Sequence, residues 1–149
     1  MRSIGLSHLV IALIAVAGCN AAVPPTAPNA MLVPPEMALP PGGTVVSAEW
    51  RGVGHTARGT VRLTVAGSVA QLDFSENFAV SGVPGPFVYL NTTNNPNTGR
   101  PLRVSALRSN SGAQSYAFQL PAGVIYQWVL VWCDPFNVPV AEARLPSVP

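Results

Sequence analysis

From Thr44 to about Pro146, apolar and polar residues alternate with a period of two, the signature of half-buried β-strands. In GTVRLTVAG (59–67), Val61, Leu63 and Val65 fall on one face, while Arg62 and Thr64 fall on the other. VAQLDF (69–74) repeats the pattern with Ala70, Leu72 and Phe74, and the Ala66-Gly67-Ser68 turn predicts that the two runs form a hairpin. PFVYL (86–90) opens after Gly85 and is a third run. QSYAFQL (114–120) alternates through Tyr116, Phe118 and Leu120. YQWVLVWC (126–133) is apolar on both faces, which predicts a central, well-covered strand, and NVPVAEARL (137–145) closes the series. Turn clusters rich in Gly, Pro and Asn separate the runs, and no segment carries a helical period beyond a turn or two. The pattern predicts an all-β domain over 44–146: a single antiparallel β-sandwich, or a partly open barrel, with a short tail at 147–149.

The N-terminal third follows different rules. Arg2 precedes a short apolar run, Leu9–Ala17, which is about half the roughly 20 residues of a spanning helix. It ends in Val16-Ala17-Gly18-Cys19, so residues 1–18 are expected to be a cleaved secretory signal. This tetrapeptide resembles the bacterial lipobox, which implies a diacylglycerol thioether on Cys19 and an acylated N-terminus after cleavage. The expected partner is then a membrane and the expected location the bacterial cell envelope, lipid-anchored and extracytoplasmic. Asn20 after the cysteine implies the outer membrane if the host is Gram-negative. Residues 19–43 are rich in proline pairs and poor in charge, which predicts an extended spacer between anchor and domain.

Charge excludes one large class of partner. The chain has no lysine, a net charge of +2, and arginines that form no run, so no nucleic-acid footprint is present. With Cys19 carrying lipid, Cys133 is the one thiol left in the mature chain, and with His8 removed alongside the signal, His55 is the one histidine. A blue-copper site takes two His and a Cys, and a structural zinc site takes four ligands. His55 and Cys133 alone therefore make only weak metal candidates, and no cofactor is indicated. One histidine and no nucleophile elbow leave little room for a hydrolytic triad. The domain is expected not to act as an autonomous enzyme. Asp73 and Glu76 fit a hairpin edge, and Tyr89 and Tyr116 fit core or cross-strand positions.

Several phrases then line up in order: Trp50, His55 and Gly59 in EWRGVGHTARG, Gly85-Pro86 before an apolar strand, QSY followed by LP, and Trp132-Cys133 with Phe136 in VLVWCDPF. This order resembles the DM-thirteen domain, a small all-β extracytoplasmic module with an electron-transfer designation, over about Val45 to Leu145. Two positions depart from its usual pattern. Phe87 stands where an acidic residue commonly follows the Gly-Pro, and Val140-Ala141 stands where the closing strand usually has an aromatic-glycine step. The resemblance implies a redox accessory role centred on the Trp132-linked Cys133, with His55 as a further candidate and a redox or envelope protein as partner. Taken by itself, a free cysteine in an apolar strand usually behaves as a small buried hydrophobe, because a reactive thiol needs a nearby cation or helix N-terminus. The rival expectation is a non-enzymatic binding or adhesion module in which Cys133 is structural.

Overall fold

The computed structural model describes residues 22–34, 39 and 42–146. The predicted signal, Cys19 and His8 lie outside the described residues. Two antiparallel sheets face each other and are not closed into a barrel. One contains β1 (Thr44–Glu49), β4 (Thr60–Ala66), β5 (Val69–Phe74) and β9 (Gln114–Gln119), in the order β1-β4-β5-β9. The other contains β2 (Arg51–Gly52), β7 (Pro86–Asn91), β8 (Leu102–Ala106), β10 (Trp128–Cys133) and β11 (Val138–Arg144), in the order β2-β11-β10-β7-β8. A short pair, β3 (Ala57–Arg58) with β6 (Ala79–Val80), stands at one side.

Alternation places the core as expected. Val61, Leu63, Ala70, Leu72 and Phe74 from the first sheet meet Val88, Leu90, Val129, Val131 and Ala143 from the second, all buried. The predicted hairpin forms with Ala66 opposite Val69, and Gly67 takes the left-handed conformation (φ 61°) that such a turn needs. β10 is the central strand of its sheet, as its two apolar faces require. Its outward residues Leu130 and Trp132 are buried with Tyr89 in a second apolar cluster, on the face of the sheet away from the core. The only helical piece among the described residues is a 3-10 turn, Asp134–Phe136, entered through Pro135 and ended by Asn137 in the left-handed region.

Gly59 holds the first β-arch together. Its φ is 95°, its carbonyl accepts from the Trp50 N–H, and an added Cβ would sit 2.6 Å from the Phe78 Cα. Only glycine allows that approach, which lets Trp50, Phe74 and Phe78 stack with centroids 4.7 to 5.6 Å apart.

Residues 28–33 of the Pro-rich stretch lie against the domain. Ala30 N–H donates to the Arg103 carbonyl (2.7 Å) and Arg103 N–H donates to Pro28 (2.8 Å), which ties this strap to β8. Three residues on, Val33 N–H donates to Ala117 (3.0 Å) and Gln119 N–H donates to Met31 (2.8 Å), which ties it to β9. β8 and β9 are edge strands of opposite sheets, so residues 28–33 bridge the open side of the sandwich. The physical reason is edge satisfaction: an extended, proline-rich segment offers carbonyls and spaced N–H groups to two unpaired strand edges. Pro25 is buried, and Ala27 packs on the outer apolar cluster.

Candidate functional site

VLVWCDPF runs out of the central strand into the 3-10 turn, and its residues divide between three environments. Cys133 points into the core: it is 1% exposed, belongs to the main apolar cluster, and donates its S–H to the Pro84 carbonyl oxygen at 3.0 Å. The strand end is therefore covered, not open. The loop before β7 turns over it, with Gly85 (φ 55°) so close to the Pro135 ring that a Cβ would meet it at 2.9 Å.

Trp132 points the other way, buried in the outer cluster, and its indole N–H donates to Asn137 Oδ1 at 3.0 Å. Asp134 turns back under the same outer face. Its Oδ1 accepts the Tyr89 hydroxyl at 2.7 Å, and its Oδ2 accepts Arg103 Nε at 2.9 Å and Nη2 at 2.8 Å. The Arg103 guanidinium lies 3.2 Å over the Phe87 ring, which serves as a cation platform. The strap completes the enclosure, since Asn29 Oδ1 accepts from Arg103 Nη1.

Tyr89 is fully buried, and its hydroxyl stays protonated well above the ordinary phenol range. Burial is the main cause, followed by the hydrogen bond to Asp134 and the charge of Asp134; Arg103 opposes both. Burial likewise raises Tyr116, whose hydroxyl accepts the Arg108 N–H at 3.1 Å. The sign for stability follows directly. The unfolded chain loses these protons near the ordinary value of about 10, while the folded chain keeps them. Stability is therefore fully present below about pH 10 and falls as pH rises towards the folded values, by up to about 1.4 kcal/mol per pH unit for each buried tyrosine. Urea unfolding at about pH 9 and about pH 11 should show this loss, with Tyr89→Phe flattening the slope by one proton's worth.

No hydrogen bond joins His55 to Cys133 among the described residues. His55 sits half-buried in the Gly52–Thr56 turn, and no hydrogen bond of its side chain is found among the described residues. The turn itself is tight: a Cβ on Gly52 would fall 1.9 Å from the His55 carbonyl oxygen. Of the arginines nearby in sequence, Arg51 ion-pairs with the buried Glu142, and Arg58 is exposed on β3. Neither reaches the thiol by a hydrogen bond. Among the described residues no group of three or more His, Cys, Asp or Glu comes together to hold a metal, and no helix is long and apolar enough to cross a membrane. Asn91 of the Asn-Thr-Thr sequon is fully buried, its amide donating to the Asn95 and Thr98 carbonyls, so it is a loop brace.

The Tyr89–Asp134–Arg103 network was not singled out from sequence. One signal was available: Asp134 follows an apolar strand with no adjacent cation, so a buried acid there requires a distant partner.

The sequence model described as Electron transfer DM13 matches residues 51–145, from β2 to the end of β11. The chain belongs to the DM13 family. No curated protein and no solved structure matches it. The DM13 match brings a redox-related role with it. It covers the whole five-stranded sheet, β4, β5 and β9 of the other, the VLVWCDPF segment and the Tyr89–Asp134–Arg103 network, and it leaves out β1 and the strap.

Proposed function

We propose that this chain is an extracytoplasmic redox accessory module, held at the bacterial envelope by lipid on Cys19, with Cys133 as its electron-transfer centre. Family membership over residues 51–145 carries the reading. The surroundings of the thiol supply supporting chemistry. Trp132, Cys133 and Asp134 are consecutive, so an indole, a thiol and a carboxylate bonded to a buried phenol lie within one strand end. Electrons reach such a centre through the protein matrix, since the sulfur offers no surface to a bulky reagent. The partner is a redox protein of the same compartment.

A second reading is favoured by one observation: the sulfur is 1% exposed and already hydrogen-bonded to Pro84. In that reading Cys133 is a core residue of a non-enzymatic binding module. Protein-film voltammetry separates the two. The redox reading expects a reversible signal from the wild type that disappears in Cys133→Ala. That variant should still fold, at a cost of about 1 kcal/mol for a small core truncation. A silent wild-type film, from protein that is folded, establishes the structural role instead.

The anchor has its own test. Wild-type protein from a bacterial host should partition into detergent with a mass shift at its N-terminus, and Cys19→Ser should leave it in the aqueous phase. An unmodified, water-soluble wild type would remove the anchor from the proposal.

A further inference from the structure

The outer face of the five-stranded sheet is divided. The strap covers the β7–β8 side, where Ala27 seals Tyr89 and Phe87. The β11–β2 side is open and carries two concavities that meet at Glu142. One, of about 560 Å³, is lined by Glu49, Trp50, Arg51, Trp128, Glu142 and Arg144. The other, of about 350 Å³, runs under the Asn-rich loop, where Asn94, Asn95 and Asn97 face Asn137 and Trp132. Both volumes fall in the range of small-molecule sites, roughly 300–1,000 Å³.

We propose that this groove is a binding site for a neutral saccharide. Two observations carry the assignment. First, the floor is a half-buried indole, Trp128, with the Arg144 guanidinium 5.7 Å from its ring, an arrangement suited to the flat C–H face of a pyranose. Second, the polar lining has unused valences of both kinds. Glu142 is 5% exposed; its Oε1 takes both Arg51 nitrogens and its Oε2 takes only Asn94 Nδ2 at 3.2 Å, which leaves acceptor capacity on a buried carboxylate. Asn94 Oδ1, Asn95 Nδ2 and the Arg144 guanidinium have no hydrogen-bond partner among the described residues. A hydroxyl donates and accepts at once, so a polyol can use such a mixed set where an aliphatic ligand cannot.

Charge sets the class. The four ionic side chains of the larger cavity, Glu49, Glu142, Arg51 and Arg144, cancel, and Arg51 and Glu142 are already paired. The site therefore offers no net attraction to an acidic or basic glycan. The groove shares Trp132 with the redox reading, but Asn94, Trp128 and Arg144, the residues varied below, lie outside that centre.

The test uses the full chain with cellotriose and chitotriose as neutral probes and trigalacturonate as the charged one, read by calorimetry and tryptophan fluorescence. At least one neutral trisaccharide should bind with a dissociation constant of about 1 mM or tighter. Asn94→Ala and Arg144→Gln, both at exposed positions, should each weaken it about tenfold, and Trp128→Ala should abolish it. Cys133→Ala should bind like the wild type, so a failed redox assay leaves this result unaffected. No heat from either neutral probe at about 10 mM, binding of trigalacturonate alone, or affinities unchanged in Asn94→Ala and Arg144→Gln would each overturn the assignment.

Discussion

Replacing Asp134 with alanine should destabilise the domain by about 3 kcal/mol, the lower end of the range for breaking a buried ion pair from one side. The carboxylate accepts from two groups held on the outer face, the Tyr89 hydroxyl and the Arg103 fork, and is the one counter-charge paired with Arg103 among the described residues. Its removal leaves a fully buried phenol without a partner and a guanidinium pressed on Phe87 without a counter-charge. The guanidinium keeps some solvent, with 26% of the Arg103 side chain exposed, and this places the cost at the low end of the range. Equilibrium urea unfolding of Asp134→Ala measures it. Tyr89→Phe removes one hydroxyl and should cost only about 1 kcal/mol. The double replacement Arg103→Met with Asp134→Leu should recover most of the loss, since neither charge then lacks its partner. A loss below about 1 kcal/mol for Asp134→Ala would show that the pair is solvated and that the network does not hold the strand end.

That network also explains why the segment around Cys133 is only half legible from sequence. Period-two alternation correctly divides Cys133 from Trp132 and places both on a central strand, because alternation is a property of the pleat itself. The same rule finds β4, β5, β7, β9, β10 and β11. It misses β1, whose Val45 is 54% exposed, so a supposed apolar position faces water. It also misses β8, a short edge strand whose apolar Leu102 and Val104 are split by Arg103, a residue with a partner 31 positions away. Burial of the sulfur is likewise a tertiary fact. Asp134-Pro135 marks the end of the strand, but the lid over it comes from Pro84 and Gly85. The Arg51–Glu142 pair and the Asn-rich groove follow from β2 and β11 lying side by side, a pairing that no local pattern specifies.

The backbone contacts of the Pro-rich stretch are hidden from the sequence for a related reason. Proline-rich segments lack an apolar period, so residues 28–33 look unable to contribute to a core, and by side chains they contribute little. Their contribution is backbone. Four main-chain hydrogen bonds, two to β8 and two to β9, close the side of the sandwich where both sheets end. At roughly 0.5–1.5 kcal/mol each, the bonds outweigh the ordering cost only if that cost is small. The prolines make it small, because Pro24, Pro25, Pro28 and Pro34 already have φ fixed in the unfolded chain. Deleting residues 22–34 should therefore lower stability by about 2–3 kcal/mol, an estimate built from those four bonds less a reduced entropy term. It should also expose two strand edges, so the shortened domain is expected to associate in a concentration-dependent way, visible by sedimentation, where the full chain does not. A finer variant isolates the backbone contribution. Ala30→Pro removes the single N–H that donates to the Arg103 carbonyl, leaves the spacer's length unchanged, and should cost about 1 kcal/mol. If deletion leaves the unfolding midpoint and the association state unchanged, the strap lies on the domain without holding it, and residues 44–146 fold alone.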